Sequence, residues 1–412
     1  MGITHEKFFL GRQPILDRSQ EIIGYELLFR AAERNVAEFE SYSQASASVI
    51  SSVLASFGID EVLGGKFGFI NVHLGLLFSE MLEVLPKEQT ILELLEFIEL
   101  DGLVLERCRA LKALGFKLAL DDHEYSAENS DIYHVIDIVK LDILQLGMEA
   151  LPAIVQGLRR TPVKILAEKV ETFEQFDICY RLGFDLFQGY FFERPVVLNK
   201  RRIDVSGMAM LKLLQQLTMD APLNEIELTF KENPSLSYNL LRLVNSVATG
   251  LREKIKTLRH AIVMLGTAQL RRWIQLSLFA GNDSRGLNNP LLEMAAVRGL
   301  LMEILVKQRN GSAVNDEQSE AAFMTGILSL LEVLFATPMG EIISSLNLSD
   351  DVNNALLTRS GQLGSMLILA EKLEVTDFDA VTPLLAECRV SLDQLLTAQL
   401  EAFNWRASIV AQ

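Results

Sequence analysis

The sequence contains few cysteines, and their spacing excludes several classes of protein. Its 412 residues include three, Cys108, Cys179 and Cys388, and no two of them form a CxxC pair. A disulfide-stabilised scaffold or a cysteine-rich zinc site needs cysteines at closer spacing. All three lie in apolar helical patterns, so we expect them to pack in a core, in a reducing compartment.

Basic residues are also scarce. Lys and Arg number 38 against 54 Asp and Glu, which gives a formal net charge of −16. Such a protein repels a polyanion at long range, so we expect no nucleic-acid binding. A charged small ligand is compatible with this balance if a bound metal ion neutralises acidic side chains locally.

A long hydrophobic run and a secretion signal are both missing. The longest apolar stretch, 327–336, is interrupted by Ser329 and Glu332 and is too short to cross a bilayer. The opening MGITHEKFFLGRQPIL has no basic segment followed by a long apolar run. We therefore expect no membrane insertion and a cytoplasmic location.

Nucleotide-binding glycine loops are absent as well, since no GxGxxG or GxxxxGK[ST] follows a predicted strand. The first half contains about eight short apolar runs typical of strands, most of them followed by a helical pattern. This alternation predicts a closed (β/α)8 TIM-like barrel. The first two strands, 8–16 and 22–30, are joined by a short turn, so one strand is expected to run antiparallel.

The character of the chain changes after Pro195, where predicted strands end and helical spacing continues to about Trp405. We therefore predict two domains. The barrel domain is expected at 1–195 and an all-helical domain at 196–412, with a linker near 193–204.

Polar residues stand at the ends of the predicted barrel strands. Parallel strands place their C-terminal ends on one rim, so these side chains are expected to meet there. They are Glu26, Asn71, Glu93, Asp121, Asp122, Lys140, Asp142, Glu168 and Gln188. Carboxylate and amide oxygens from separate strands are typical ligands of Mg²⁺ or Mn²⁺, the cofactor that we predict.

The residue types at this rim suggest individual roles. The oxygen ligands would be Glu26, Asn71, Glu93 and Asp121. The adjacent Asp122 would allow two cations to be bridged. Lys140 would hold a water molecule or a phosphate charge, and Glu168 would orient or deprotonate the water. Arg30 would reach a phosphate oxygen.

Each of these residues also has an ordinary structural explanation. Glu93 would be a surface carboxylate of a helix. Asp121 and Asp122 would cap a helix. Lys140 and Asp142 would form a surface ion pair. The functional interpretation is favoured because the polar residue falls at a strand end in seven consecutive runs.

The motifs GRQPILD and GYELLFR, followed by these strand-end residues in order, resemble EAL domains, the cyclic di-GMP phosphodiesterases, with ELL for EAL. The resemblance spans 8–197 and implies a barrel with one antiparallel strand that opens cyclic di-GMP to linear pGpG. It implies metal ligation by Glu26, Asn71, Glu93, Asp121 and Asp122, and handling of water by Lys140 and Glu168. The residues expected to contact or support the substrate are Gln13, Arg30, Asp142, Glu171 and Gln188.

The sequence departs from this family in the residues that support the ligands. The DDFGTG loop is replaced by DDHEYS at 121–126, which lacks both glycines and the threonine. His73 replaces the serine of NVS, and Lys169 replaces the glycine of AEGVET. Such changes commonly reduce activity without abolishing binding. The altered loop contributes to dimer contacts in the family, so a homodimer is a weak expectation.

The stretch NPSLSYNLLRLVNSVATGLREKIKTLRHAIVMLGTAQLRRWIQ resembles the HDOD domain, a relative of the HD phosphohydrolases. HD hydrolases bind metal through several His and Asp side chains. Of the five histidines only His260 lies in this half, and the sequence has no His-Asp dipeptide. We therefore expect no metal here, but a regulatory or partner-binding role. The run 271–273 (RRW) is better explained by a packed Trp273 beside a solvated face than by a partner patch.

Two functions remain open from the sequence. In the first, the barrel is a metal-dependent cyclic di-GMP phosphodiesterase and the helical half regulates it. In the second, the protein is a nucleotide sensor or signalling scaffold without turnover. The complete ligand set favours the enzyme, and the rebuilt loop after Asp122 favours the scaffold. A third, weaker hypothesis is an enzyme acting on another phosphodiester.

Overall fold

A computed structural model gives the structure of the chain. The residues it describes are 8–31, 62–123, 125, 131–189, 205–247, 257–280, 290–310, 316–335, 337–344 and 346–410. The apolar spacing over 43–57 predicts a helix, and this segment and the linker predicted at 193–204 lie outside them. The chain divides into two compact units, 1–196 with 368–412, and 197–367. The predicted domain limits at 195 and 196 stay a prediction.

Eight strands close into a barrel in chain order within the first unit. They are β1 (Phe8–Asp17), β2 (Ile22–Ala31), β3 (Phe67–Val72), β4 (Thr90–Leu94), β5 (Lys117–Leu120), β6 (Ile138–Asp142), β7 (Lys164–Glu168) and β8 (Leu186–Phe187). β1 is antiparallel to both β2 and β8, and the strands from β2 to β8 are parallel to their neighbours. This confirms the predicted barrel with one antiparallel strand.

Short helices connect the barrel strands. They are α1 (Leu74–Leu77), a 3₁₀ turn (Glu80–Val84), α2 (Gly102–Ala113), a 3₁₀ turn (Ile132–His134), α3 (Ile143–Leu146), α4 (Leu151–Leu158) and α5 (Phe173–Leu182). The spacing of Thr172 and Gln175 in the sequence predicts a capping box, and α5 starts with it: Thr172 Oγ1 accepts from Gln175 N and Gln175 Oε1 accepts from Thr172 N. It ends at Gly183, whose φ of 99° is a conformation that glycine adopts without strain.

The first unit also contains helices from the far end of the chain. They are α16 (Phe378–Cys388) and α17 (Leu392–Val410). Phe378 stacks on Phe9 of β1 at a ring distance of 5.5 Å. The Gln399 amide donates to the Leu10 carbonyl oxygen at 3.1 Å. The β1–β2 hairpin is therefore covered by residues more than 360 positions away in sequence.

The hairpin extends past the neighbouring strand. β2 pairs with β3 only at 24–27, whereas its pairing with β1 continues to Ala31. On β1 the Arg12 guanidinium lies between two rings, 4.0 Å from the centre of Tyr25 and 3.8 Å from that of Phe403. These contacts make α17 part of the support of the barrel.

The second unit is helical in its described part. Its helices are α6 (Val205–Thr218), α7 (Leu223–Lys231), α8 (Pro234–Val247), α9 (Leu258–Ala280), α10 (Pro290–Asn310), α11 (Asp316–Leu328), α12 (Leu331–Phe335), α13 (Met339–Ile343) and α14 (Asp350–Thr358), and α15 (Gly361–Glu374) begins in it. Thr257 and Thr267 each stand before an apolar helical pattern and predict two separate helices, and α9 is indeed interrupted between them at Gly266 (φ 76°). α10 and α11 cross at Gly299 and Gly326, where an added Cβ would clash.

Two expectations about apolar residues can be compared with this fold. Cys108, Cys179 and Cys388 are buried free thiols, and burial raises the pKa of Cys108 to about 11 and of Cys179 to about 12. Within the described residues, one helical stretch, 317–335, is long and apolar enough to cross a membrane. Most of that stretch is buried in the protein, as a core helix would be, so it is weak evidence for a span.

Candidate functional site

The candidate site is a layer of polar side chains directly above an apolar layer inside the barrel. The apolar cluster consists of Ile15, Phe69, Ile91, Ala119, Ile138, Leu166 and Leu186. Successive side chains of a strand point to opposite faces, so residues two positions apart share a face. Two positions further toward the rim on these strands stand Gln13, Asn71, Glu93, Asp121, Lys140, Glu168 and Gln188. The period of the strand thus brings the predicted residues to one level.

Glu26 joins this layer from β2, where it faces Gln13 on β1 and Phe69 on β3 in the register of the sheet. The residue two positions before it, in the apolar layer, is Gly24. A Cβ at Gly24 would lie 2.7 Å from the Phe67 carbonyl oxygen and 2.9 Å from the Phe69 ring. The missing side chain therefore lets Phe69 fill the barrel beneath Glu26.

Lys140 is at the centre of the polar layer. Its ammonium is fully buried and contacts four carboxylates at once. The distances from Nζ are 3.3 Å to Glu26 Oε2, 2.9 Å to Glu93 Oε1, 2.7 Å to Asp121 Oδ1 and 2.8 Å to Glu168 Oε1. One ammonium balances the negative charge of only one carboxylate. The layer therefore has more carboxylates than positive charges, and a bound cation would reduce this imbalance.

Amide side chains fix the orientation of Glu26. Gln188 Nε2 donates to Glu26 Oε2 at 2.7 Å and to Gln13 Oε1 at 3.1 Å. Asn71 Nδ2 donates to Glu26 Oε1 at 3.2 Å. Both Glu26 oxygens are therefore held by donors, and the Asn71 side-chain oxygen is buried without a donor among the described residues.

The acids differ in how easily they ionise. Burial opposes ionisation of Glu26, but Lys140 and the hydrogen bonds from Gln188 and Asn71 outweigh it and lower its pKa. Burial raises the pKa of Glu93 well above its usual value and also raises that of Asp121. Burial raises the pKa of Glu168 to about 8, and Lys140 offsets this only in part. The pKa of Lys140 is raised well above its ordinary value because four carboxylates outweigh its burial.

Several buried oxygens of this layer have no hydrogen-bond donor among the described residues. They are Asn71 Oδ1, Glu93 Oε2, Asp122 Oδ1 and Gln188 Oε1. A buried acceptor without a donor is costly unless a cation or water satisfies it. Oxygen donors of this kind suit Mg²⁺ or Mn²⁺. No three His, Cys, Asp or Glu side chains in the described part are grouped tightly enough to enclose an ion, because the carboxylates converge on Lys140.

A second ammonium–carboxylate group lies nearer the mouth. Lys169 Nζ hydrogen-bonds to Asp142 Oδ2 and lies 3.7 Å from Asp122 Oδ2. The other Asp142 oxygen caps α3 by accepting from the backbone nitrogens of Leu144 and Gln145. Burial opposes ionisation of Asp142, but the Lys169 ammonium and the backbone donors of Gln145 and Leu144 together outweigh it and lower its pKa.

The loop after Asp122 is anchored by aromatic residues. His123 Nε2 and the Tyr133 hydroxyl are 2.8 Å apart, and Tyr125 stacks on Tyr133. Tyr125 also packs where a Cβ on Gly157 would otherwise lie. Glu124 and Ser126 of the altered DDHEYS loop are outside the described residues. The described part of the loop is thus held by contacts that the family's glycine-rich sequence would not make.

Arg30 and Glu171 are placed apart from both of these groups. Arg30 Nη2 forms an ion pair with Asp379 Oδ1 of α16 at 2.5 Å. Glu171 is exposed, and its backbone nitrogen donates to Gln175 at the start of α5. Their proposed contact with substrate remains a prediction.

Sequence reasoning missed the roles of Asp379 and Lys169 in this arrangement. No local pattern connects Asp379 to a strand 349 positions earlier. Lys169 did carry a signal, since it directly follows a strand-end acid, but we noted it only as a departure from a family motif. Its position beside Asp142 and Asp122 follows from the barrel register, which pairs Asp142 with Glu168.

Comparisons with known proteins identify two domain families in the chain. A model of the EAL domain matches residues 75–195, and a model of the HDOD domain matches residues 207–346. Cyclic di-GMP phosphodiesterase CdgJ of Vibrio cholerae is 30% identical over 408 residues, covering 97% of this chain and 93% of CdgJ. The uncharacterized protein YuxH of Bacillus subtilis is 29% identical over 407 residues, covering 97% of this chain and 98% of YuxH.

Among solved structures, the Bacillus subtilis YkuI protein, which has an EAL domain and was crystallised with cyclic di-GMP and calcium, is similar to part of the chain. It is 21% identical, covers 45% of this chain and 54% of that protein, and has a TM-score of 0.39.

Proposed function

Because the chain belongs to the family of proteins that join an EAL domain to an HDOD domain, we propose that its barrel binds cyclic di-GMP and hydrolyses it to linear pGpG. The observation that supports this most is the single polar layer of four carboxylates around Lys140 at the C-terminal rim of the barrel. Enzymes of this barrel type carry their active sites at that rim.

The proposed cofactor is Mg²⁺ or Mn²⁺. Glu26, Asn71, Glu93 and Asp121 would hold it, with Asp122 beside them. When bound, the ion would supply positive charge to the phosphate and lower the pKa of water. The donor-free oxygens of Asn71 and Glu93 support this assignment, because both face the layer from strands next to Glu26 and Asp121.

Glu168 is proposed as the general base. Its pKa of about 8 is near the working range of a group that must take a proton at neutral pH. The Lys140 ammonium lies 2.8 Å from Glu168 and would hold the water or offset the phosphate charge. After taking the proton, Glu168 would be neutral beside this fixed ammonium. The reaction class is hydrolysis of one phosphodiester bond, with the water proton passing to Glu168.

The remaining predicted residues have supporting roles in this proposal. Gln188 orients Glu26 by donating to it, and Gln13 in turn accepts a hydrogen bond from Gln188. Asp142 fixes the start of α3 and holds Lys169 at the mouth. Arg30 would bind a phosphate oxygen after releasing Asp379.

We propose that the helical second unit has no catalysis of its own and acts as a regulatory or partner-binding module. The only histidine in this half of the sequence is His260, so an HD-type ligand set is missing. The proposed location is the cytoplasm, in keeping with three buried free thiols.

The test is turnover of cyclic di-GMP by the full chain with Mg²⁺ or Mn²⁺, followed as formation of pGpG. Glu26→Ala and Glu168→Ala should each reduce the rate by about a hundredfold or more, since one removes a ligand and the other the base. Glu106→Ala removes an exposed acid of α2 and is the matched control. Turnover that survives in both site variants would contradict the assignment.

A second candidate function is binding of cyclic di-GMP without turnover. It is favoured by the aromatic anchoring of the loop after Asp122 and by Lys169 beside Asp122 and Asp142. Binding measured by calorimetry in the absence of pGpG formation would establish this function, and loss of that binding in Glu26→Ala would place the ligand in the same barrel.

A further inference from the structure

Lys169 has an unusual backbone conformation for a residue with a side chain. Its φ is 55°, in the left-handed region where glycine is the common residue. Asp122, across the mouth, also has a positive φ of 41°. The backbone of both residues is thus held in the left-handed region, which residues with a side chain disfavour. The side chains of Lys169 and Asp122 are in contact.

The Lys169 ammonium connects carboxylates from two different strands. It hydrogen-bonds to Asp142 at the end of β6 and lies 3.7 Å from Asp122, which follows β5. Asp142 is nearly buried and has its second oxygen committed to capping α3, so Oδ2 is the oxygen it has available. Asp122 Oδ1 is buried and has no donor among the described residues.

The group of Lys169, Asp122 and Asp142 is separate from the four carboxylates around Lys140. Two of its members directly follow two of those carboxylates in the sequence. Asp122 follows Asp121, and Lys169 follows Glu168. Adjacent aspartates at a strand end could let two divalent cations share the mouth, because each carboxylate would serve a different ion. An ammonium beside Asp122 opposes the second of these ions, since two like charges a few ångströms apart repel strongly in a partly buried site.

We propose that the Lys169 ammonium takes the place beside Asp122 and Asp142 that a second divalent cation would otherwise occupy, so that the barrel mouth holds one divalent cation. This inference rests on the proposed function only in that the first cation binds among Glu26, Asn71, Glu93 and Asp121. It assigns Lys169 as a positioning residue that sets the number of ions.

The experiment counts Mn²⁺ bound to the full-length protein by electron paramagnetic resonance of free Mn²⁺, without nucleotide. The unmodified protein should bind one ion. Lys169→Met and Lys169→Gly should each bind two, because both remove the charge, although only glycine relaxes the backbone. Lys169→Arg keeps the charge and should bind one. Lys169→Gln, which retains a donor for Asp142, replaces the Met variant if that variant does not fold, and it should also bind two.

The outcomes separate the two proposals. Two ions in the unmodified protein, or one ion in both the Met (or Gln) and Gly variants, would overturn the role of Lys169 and leave the proposed function standing. A second ion in the Gly variant alone would assign the effect to the backbone and also overturn it. No bound ion in any of these proteins would overturn both this inference and the proposed metal site.

Discussion

Lys140 sets the charge balance of the polar layer. It is fully buried and its ammonium is shared by four carboxylates, three of which have a raised pKa because of their burial. A buried charge that loses its partner is among the costly changes in a protein. This arrangement of buried charges favours binding of a charged ligand and lowers the stability of the folded protein, as is common at functional sites.

Lys140→Met should lower the free energy of unfolding by about 3–5 kcal/mol near pH 8 in the absence of divalent cations. The loss should be smaller near pH 6. An acid whose pKa is higher in the folded than in the unfolded protein binds its proton on folding, so its burial costs least at low pH. The pKa of Glu168, already about 8, would rise further without Lys140.

Urea unfolding at both pH values measures this effect, and Lys164→Met, at an exposed position of β7, is the control for loss of a lysine. An equal loss of stability at pH 6 and pH 8 would show that the carboxylates do not depend on Lys140.

At the scale of the element, the strands were predictable because the alternation of faces along a strand coincides with the alternation of apolar and polar residues in the sequence. A strand alternates its faces, and each strand from β3 to β8 has a polar residue, on it or just after it, two positions beyond a buried apolar one. The apolar runs of the sequence predict strands at 67–72 and 135–141, and β3 has the first pair of limits. The strand predicted at 135–141 begins only at Ile138, because the chain first forms a 3₁₀ turn at Ile132–His134.

Helix limits were less predictable than strands. The apolar spacing over 74–85 predicts one helix, but the structure has α1, which stops at Leu77, and then a 3₁₀ turn at Glu80–Val84. Ser79 explains the break, since its hydroxyl accepts from Met81 N and starts the second segment. A capping side chain inside an apolar pattern therefore outweighed the periodicity.

The capping box of α5 should stabilise the element that follows Glu168 and Lys169. Thr172→Ala removes the acceptor for Gln175 N and should reduce the free energy of unfolding by about 1 kcal/mol, whereas Thr172→Ser should change it by only a few tenths. Chemical denaturation of the three proteins measures the difference. Equal stability of the Ala and Ser variants would mean that water replaces the cap.

At the scale of the whole molecule, the sequence could not reveal that 368–412 belongs to the same compact unit as the barrel. The helical pattern is continuous from the second unit, and nothing local marks α16 and α17 as different. Their contacts with β1 connect residues nearly the full chain length apart, and single-sequence patterns report neighbours only.

Asp379 should compete with the ligand for Arg30. Asp379→Ala would free the guanidinium, and the affinity for cyclic di-GMP should rise by about 1.4- to fivefold, since a partly exposed ion pair contributes about 0.2–1 kcal/mol. Titration calorimetry measures this change, with Glu401→Ala, an exposed acid of α17, as the control for net charge. Weaker binding in the Asp379 variant would show instead that the pair orients Arg30 for the ligand.

The hydrogen bond from Gln399 to the Leu10 carbonyl has a consequence for biosynthesis. The two residues are separated by 389 positions, which a ribosome adds in about 20–80 seconds at usual rates of synthesis. During that interval the nascent hairpin has no cover and exposes apolar surface to the crowded cell. This cover can form only after residue 399 has emerged from the exit tunnel, and nascent chains are expected to be clients of ribosome-associated chaperones until then.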